Sequence, residues 1–154
     1  MQRISTERLD FAYANAGVDL GIPLVLLHGF TGHRDDFAQV LSGLSQGRRV
    51  FAPDLRGHGE SGRAAGPEEY TFSECMADLL AFLDALGIEK CDLLGHSMGG
   101  MVAVRFALEH PTRLRSLILM STSASGFGDE TNESLRKGSM FVKEAGLAPL
   151  QEAM

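Results

Sequence analysis

The sequence predicts an α/β fold in which a mostly parallel sheet carries helices on both faces. Short continuous apolar runs, such as PLVLL at 23–27 and LRSLILM at 114–120, are typical of strands that are buried on both faces. Segments with apolar residues at helical spacing, such as 76–86, lie between these runs. Strands that alternate with helices are joined by right-handed crossovers, and such crossovers place the strands parallel to one another.

The individual elements follow from these patterns and from their end signals. Apolar and polar residues alternate only weakly in segment 9–15, which is predicted as an edge strand ended by Gly17. Thr71 and Glu74 fit a capping box at the start of the second helix, and Gly87 ends that helix. The predicted strands are 9–15, 23–27, 49–55, 91–95 and 114–120, and the predicted helices are 35–44, 72–86, 98–109 and 133–145.

Length and composition predict a single domain of ordinary globular type. The 154 residues are 44% hydrophobic and 22% charged, and the net charge of −6 without a basic patch argues against nucleic acid as a partner. The N-terminal segment has no apolar signal region, and no run approaches about eighteen apolar residues, so we expect a cytoplasmic protein without a membrane partner. Cys75 and Cys91 are expected to be reduced thiols.

A candidate nucleophile lies in LLGHSMGGMVA at 93–103. Gly95, Ser97 and Gly99 match the pattern G-x-S-x-G between a predicted strand and a predicted helix, which is the context that this pattern requires. The tight turn forces the serine towards strained dihedral angles, so nearby positions must lack a Cβ atom. The hydroxyl then projects above the carboxyl ends of the strands, beside the positive end of the helix. The alternative is that Ser97 only caps this helix.

A second motif, HGFTG at 28–32, follows the first buried strand. Acyl transfer passes through a tetrahedral intermediate whose oxyanion needs two N–H donors. One donor is expected from the residue after the nucleophile, Met98, and the other from this loop, with Phe30 as the candidate. His28 is expected to hold the loop by hydrogen bonds. The alternative is an ordinary turn around Gly29.

Three motifs together resemble those of the α/β-hydrolase superfamily, and most closely its esterase, lactonase and C–C hydrolase branch. They are HGF, DLRGHGES at 54–61 and GHSMGG, in this order, and the resemblance covers about residues 9–125. It implies Ser97 as the nucleophile, with His96 as motif support, and the backbone amides of Phe30 and Met98 as the oxyanion hole. It implies no cofactor and no metal. The serine also sets this chain apart from dehalogenase and epoxide-hydrolase relatives, which carry aspartate at this turn.

The segment 57–62 also spells G-x-G-x-x-G, the dinucleotide-binding fingerprint. That motif must open a helix whose N-terminus receives the pyrophosphate, and the following residues RAAGP predict no helix. We therefore do not expect a dinucleotide cofactor.

The sequence supplies no evident base for Ser97. In this superfamily the triad follows the order Ser, Asp or Glu, His. His110 is the single histidine after Ser97, and it stands at the far end of the predicted helix, about 18 Å away at 1.5 Å per residue. His96 flanks the serine, but adjacent side chains at a strand end point to opposite faces. The other histidines lie upstream on loops and match no triad position: His28, His33 and His58.

The acid of the triad is missing in the same way. Ser121 and Thr122 stand where some relatives carry a carboxylate after the sixth strand, and Asp129 is a remote substitute. The resemblance implies an eight-stranded sheet, of which this chain supplies about six strands. We therefore expect the fold to be truncated before its last strands, with 1–125 as the N-terminal part of the core and 126–154 as the start of a lid.

The function predicted from these motifs is a serine hydrolase that cleaves a small-molecule ester, lactone or thioester through an acyl-enzyme. The chain as given is expected to be weakly active or inactive. The alternatives are a C–C bond hydrolase, a lyase of the menaquinone-pathway type, or a non-catalytic binding module that keeps the turn as scaffold. Strand 114–120 is expected to present an open edge, through which the chain forms a homodimer or aggregates.

Overall fold

The computed structural model describes residues 1–123, which form one mixed sheet with the strand order β1-β2-β4-β3-β5-β6. The strands of this part are β1 (Gln2–Ser5), β2 (Asp10–Ala16), β3 (Leu24–Leu27), β4 (Val50–Pro53), β5 (Cys91–His96) and β6 (Leu114–Met120). Its α-helices are α1 (Ala38–Leu44), α2 (Phe72–Ala85) and α3 (Met98–Glu109). A 3₁₀ turn, Arg34–Phe37, leads directly into α1.

The strands β4, β3, β5 and β6 are parallel, whereas β1 and β2 pair antiparallel at one edge. The predicted α/β fold with a mostly parallel sheet is confirmed. The prediction that 9–15 is an edge strand is wrong, because β1 pairs with residues 10–13 of β2 on the outer side of the sheet. The segment Gln2–Ser5 is polar and largely exposed, and it has neither an apolar run nor an alternation that would reveal a strand.

Helices cover both faces of the sheet, as predicted. On one face α2 and α3 contribute Phe82, Leu83 and Phe106 to a large apolar core, where the rings of Phe11 and Phe82 lie 5.0 Å apart. On the other face α1 packs Leu41 and similar residues over a smaller cluster on β3, β4 and β5. The strands β3, β4 and β5 are buried on both faces, and the four parallel strands present their carboxyl ends at one shared edge.

The ends of α2 agree with the sequence signals, since Thr71 caps its start and Gly87, with a positive φ of 67°, follows its end. The Thr71 hydroxyl accepts a hydrogen bond from the Glu74 amide (3.1 Å), so one half of the predicted capping box is present at the start of α2.

No helix within residues 1–123 is long and apolar enough to cross a membrane. The predicted helix at 133–145 and the predicted lid at 126–154 lie outside the described residues, as does Asp129.

Asp92, at the start of β5, is the buried centre of a charged cluster. Its carboxylate accepts hydrogen bonds from Arg48 (2.8 Å), from Arg115 Nε (2.9 Å) and from the Ser116 hydroxyl (2.6 Å). The Arg115 hydrogen bonds lower the pKa of Asp92 below its ordinary value, and Ser116 and Arg48 act in the same direction. The cluster therefore ties β6 and the loop before β4 to the start of β5.

We expect Asp92→Asn to lower the free energy of unfolding by about 1–3 kcal/mol at neutral pH, because it removes charge-assisted hydrogen bonds from a buried site. The pKa of Asp92 is lower in the folded state, so the carboxylate stabilises the fold above its unfolded pKa of about 3.9. This stabilisation is lost as the pH falls through the folded pKa. Urea unfolding of both proteins at several pH values measures the effect, and the difference between them should shrink in acid.

The matched control for this measurement is Asp84→Asn, which removes an exposed ion pair with Arg113 (2.7 Å). An exposed pair contributes less than about 1 kcal/mol. Equal losses in the two variants, or a difference that does not depend on pH, would contradict the role assigned to Asp92.

The strand β6 pairs only with β5 within residues 1–123. The expectation that 114–120 is buried on both faces is wrong, since Ile118, Leu119 and Met120 expose 40%, 44% and 48% of their surface. A strand edge with unpaired N–H and C=O groups and exposed apolar side chains is a template for pairing with another chain.

We expect residues 1–154, prepared as a separate chain, to self-associate through β6. Light scattering coupled to size-exclusion chromatography measures this, and Ile118→Lys should shift the chain towards the monomer because a charge on the edge opposes pairing. Leu108→Lys is the control, since Leu108 is 78% exposed on α3 rather than on the strand. A monomer at every concentration, or an equal response to both substitutions, would rule out the β6 interface.

Candidate active site

Ser97 forms the whole turn between β5, which ends at His96, and α3, which begins at Met98. Its backbone has φ 51° and ψ −116°, a positive-φ conformation that is sparsely populated and costs a non-glycine residue about 1–3 kcal/mol. The Ser97 amide donates to the Met120 carbonyl (2.9 Å), so the end of β6 helps to hold the turn. Ser97 occupies the N-cap position of α3, but its side chain makes no capping hydrogen bond, so the alternative that the hydroxyl only caps this helix is wrong.

Glycines surround Ser97 because the backbone is too closely packed for side chains. A Cβ atom on Gly95 would lie 2.5 Å from the Gly99 carbonyl oxygen and 2.6 Å from the Gly100 Cα. A Cβ atom on Gly99 would lie 2.5 Å from the carbonyl oxygen of Leu27, at the end of β3. Neither glycine has a positive φ, so close approach, rather than backbone conformation, requires them.

His28 is buried just after β3, and its hydrogen bonds define its tautomer. The Leu55 amide donates to Nε2 (2.9 Å), so the proton is on Nδ1, which donates to the Gly29 carbonyl (2.7 Å). Burial lowers the pKa of His28, which favours this neutral form. Its basic nitrogen is already occupied by a backbone amide, so His28 is unsuited to be a general base.

These hydrogen bonds also orient the Phe30 amide. The Phe30 N–H and the Gly29 C=O belong to one trans peptide group and point in opposite directions. The Gly29 carbonyl is held by His28 Nδ1 and by the Gly32 amide (3.1 Å), so the Phe30 N–H points away from both donors. A Cβ atom on Gly29 would lie 3.4 Å from the Ser97 Cβ, which places this loop directly beside the turn.

The first turn of α3 supplies the second amide. The Gly99 amide donates to the His28 carbonyl (3.1 Å), and the Gly100 amide donates to the Ser97 carbonyl (2.9 Å). Met98 opens the helix, and the first amides of a helix have no acceptor within it. In the part of the chain that the structure describes, neither the Met98 N–H nor the Phe30 N–H makes a hydrogen bond.

A second loop, after β4, closes against the first. His58 Nε2 hydrogen-bonds to the Phe30 carbonyl, and Nδ1 lies 2.9 Å from the Arg56 carbonyl. Behind it the buried Asp54 carboxylate accepts from the Arg34 amide (2.6 Å) and from the Glu60 amide (2.9 Å). Both ring nitrogens of His58 therefore lie within hydrogen-bond distance of backbone carbonyl groups of the two loops.

The G-x-G-x-x-G segment is part of this second loop. Gly57 and Gly59 have positive φ, and a Cβ atom on Gly59 would lie 2.1 Å from an Asp54 carboxylate oxygen. After it only the 3₁₀ turn Pro67–Glu69 precedes α2. The structure thus gives these glycines a role in loop packing, and no α-helix starts where a dinucleotide site would need one.

None of the five histidines hydrogen-bonds to Ser97 Oγ, and across residues 1–123 this hydroxyl has no hydrogen-bond partner. His110 follows the last residue of α3, with its ring 5.1 Å from that of Phe106. His33 accepts from the Asp35 amide at the start of the 3₁₀ turn. The His96 ring lies beside Gly29. The described residues bring the serine and the two amides together but not a base.

The described residues contain no group of three His, Cys, Asp or Glu side chains that could hold a metal ion. Two residues near the turn have contacts that sequence reasoning missed, His58 on the Phe30 carbonyl and Thr122 on the Ser97 carbonyl (2.7 Å). Their positions in the sequence could have indicated these contacts. Both residues follow strands whose carboxyl ends meet at the edge of the sheet where the turn lies.

The mixed sheet, with a strand-to-helix turn at the carboxyl ends of its parallel strands, is the architecture of the hydrolases of the α/β fold. The chain belongs to the alpha/beta hydrolase fold family, whose profile matches residues 22–141. This agrees with the resemblance that the three sequence motifs indicate.

Three relatives illustrate the family. Epoxide hydrolase 3 of Siraitia grosvenorii is 41% identical over 69% of this chain and 34% of its own length. The 2-hydroxymuconate semialdehyde hydrolase of Pseudomonas sp. (strain CF600) is 38% identical over 70% of this chain and 38% of its own length. A thermophilic esterase from Thermogutta terrifontis has a TM-score of 0.90 and 33% identity, covering 100% of this chain and 58% of the esterase. The chain therefore spans little more than a third of the epoxide hydrolase and of the semialdehyde hydrolase, and 58% of the esterase.

Proposed function

We propose that the protein is a serine hydrolase that cleaves a small-molecule ester, lactone or thioester through an acyl-enzyme at Ser97. The observation that carries this proposal is the strained, positive-φ backbone of Ser97 at a strand-to-helix turn, with a hydroxyl that does not cap the helix. A conformation that costs free energy persists where the surrounding structure enforces it, and such positions cluster at active sites.

In the proposed reaction Ser97 Oγ attacks the carbonyl carbon of the substrate, and its proton passes to a general base. The oxyanion of the tetrahedral intermediate accepts hydrogen bonds from the Phe30 and Met98 amides, which the surrounding hydrogen bonds already hold in place. Collapse of the intermediate expels the alcohol or thiol, and water then releases the acyl group. The amide of Met98 also lies at the positive end of α3, which favours the developing negative charge.

The base and its acidic partner are proposed to come from outside residues 1–123. The resemblance puts both after the nucleophile in the chain, and the segment 124–154 contains no histidine. The similarity to the esterase, of which this chain covers 58%, supports a base from the part of the fold that the chain does not span.

Cleavage of a carbon–carbon bond is the second candidate. The similarity to 2-hydroxymuconate semialdehyde hydrolase supports it, and the same turn and amides would stabilise the oxyanion that forms on the ketone. The similarity to an epoxide hydrolase carries less weight for the reaction, because the resemblance implies an aspartate at the turn of those enzymes and this chain has Ser97.

The test uses the protein encoded by the longest open reading frame that contains residues 1–154. This protein is assayed in parallel with residues 1–154 alone. The substrates are p-nitrophenyl acetate, a γ-lactone, an acyl thioester and a vinylogous 1,5-diketone. Hydrolysis of one of the first three that depends on Ser97 supports the serine hydrolase. Preference for the diketone would favour the C–C hydrolase, and no turnover of any substrate would favour a non-catalytic module.

A further inference from the structure

Thr122, just after β6, makes a hydrogen bond to the backbone of the proposed nucleophile. Its hydroxyl donates to the Ser97 carbonyl (2.7 Å) across a separation of 25 residues. The same carbonyl accepts from the amides of Gly100 (2.9 Å) and Met101 (3.3 Å). Of these three donors, only the Thr122 hydroxyl comes from outside α3.

The position of Thr122 is closely constrained. A Cβ atom on Gly100 would lie 2.5 Å from Oγ1 of Thr122, so α3 and this side chain pack with no space between them. Immediately before it, Ser121 has a positive φ of 48°, and Met120 accepts the hydrogen bond from the Ser97 amide. The end of β6 therefore contacts the turn through both its backbone and a side chain.

The Ser97 carbonyl belongs to the peptide group that carries the Met98 N–H. In a trans peptide the two point in opposite directions, so a donor that fixes the carbonyl also fixes the direction of the N–H. A hydrogen bond to the carbonyl further polarises the peptide group and strengthens its N–H as a donor. His28 has the equivalent relation to the other amide, since it donates to the Gly29 carbonyl of the Phe30 peptide group.

We infer that Thr122 is a positioning residue for the oxyanion hole, which it serves by orienting and polarising the Ser97–Met98 peptide group. The inference rests on the proposed function, because it assigns Thr122 to an amide that is proposed to bind the oxyanion. It gives the residue a role different from that of the triad acid, whose position it was expected to mark.

The experiment compares Thr122→Val, which keeps the shape but lacks the donor, with Thr122→Ser, which keeps the donor. The readouts are the rate constant for phosphonylation of Ser97 by a fluorophosphonate, and kcat and KM for the ester or lactone that the protein cleaves best. We expect Thr122→Val to lower the phosphonylation rate and kcat by about tenfold with KM unchanged, since the Met98 N–H that Thr122 orients acts mainly on the oxyanion. Thr122→Ser should stay within about twofold of the wild type.

The matched control is Thr71→Val, which removes another threonine hydroxyl that hydrogen-bonds to the backbone, at the start of α2. Its thermal stability should fall while kcat of the folded protein is unchanged. If Thr122→Val melts below the assay temperature, Thr122→Ala replaces it in the same comparison. Wild-type rates in Thr122→Val and Thr122→Ala, or a loss in Thr122→Ser as large as that in Thr122→Val, would overturn the inference.

The proposed function is tested separately in the same assay. All variants are made in the protein encoded by the longest open reading frame that contains residues 1–154, because residues 1–123 bring no base to Ser97 and the segment 124–154 contains no histidine. If the wild type of this longer protein is not phosphonylated at Ser97, the proposed function fails and the inference fails with it. If the wild type reacts at Ser97 and the loss of the Thr122 hydroxyl has no effect on the rate, only the role of Thr122 fails.

Discussion

Replacement of Ser97 by alanine is expected to abolish covalent labelling by a fluorophosphonate and to reduce kcat by a factor on the order of 10⁶ in the complete enzyme. The reagent reacts with an activated serine, and Ser97 is held with its hydroxyl uncommitted at the start of α3. Alanine removes only the attacking atom, so the fold and the two amides should be retained. Labelling followed by gel fluorescence measures the first effect, and ester hydrolysis measures the second.

The matched control is Ser45→Ala, which removes a hydroxyl that, within residues 1–123, bonds only to the nearby Ser42 carbonyl (3.1 Å). This variant should be labelled at the rate of the wild type. Labelling that survives in Ser97→Ala would show that another residue reacts, and it would remove the main support for the proposed mechanism.

The second large effect concerns the stability of the fold at the turn. We expect Gly99→Ala to lower the free energy of unfolding by about 3 kcal/mol or more, because the new Cβ atom would lie 2.5 Å from the Leu27 carbonyl oxygen and 2.6 Å from that of His28. Both contacts are to backbone at the end of β3, so no side chain can move aside to relieve them. Urea unfolding monitored by circular dichroism measures the loss.

Gly43→Ala is the control because it is the same substitution at an open site. Apart from its chain neighbours and the backbone of α1, to which Gly43 belongs, no atom lies within 4 Å of a Cβ atom built on this residue. A glycine inside a helix is less favourable than alanine, so this variant should gain about 0.5–1 kcal/mol. A small loss in Gly99→Ala, similar in size to the change in Gly43→Ala, would mean that the turn is less tightly packed than the structure indicates.

The sequence predicted the parallel part of the sheet because its strands are continuous apolar runs, and β3, β4 and β5 are indeed buried on both faces. Continuous apolar runs such as 23–27 and 91–95 carry that information locally. It missed β1, because Gln2–Ser5 is a short exposed strand whose existence depends on pairing with β2. Burial of 114–120 was also predicted wrongly, since a run of apolar residues does not reveal whether a neighbouring strand covers it.

The candidate site shows the same division between local and distant information. The motif around Ser97 predicts a strand, a turn and a helix because the glycines needed for close packing are adjacent in sequence. The tautomer of His28 depends on the Leu55 amide, and the role inferred for Thr122 depends on a contact across 25 residues. Such contacts follow from the crossover connections of the sheet and have no local pattern in the sequence.

The central claim is that Ser97 carries the acyl group during turnover, and trapping of the intermediate tests it most directly. The protein encoded by the longest reading frame that contains residues 1–154 is mixed with p-nitrophenyl acetate, and the reaction is quenched in acid within the first turnovers. The protein is then digested with trypsin and analysed by mass spectrometry. Cleavage after Lys90 and Arg105 releases a peptide, 91–105, in which Ser97 carries the only hydroxyl group. We predict one acetyl group on Ser97 of this peptide, which decays as substrate is exhausted and is absent in Ser97→Ala. Product formation without acetylation of Ser97, or with the acetyl group on another residue, would contradict the account.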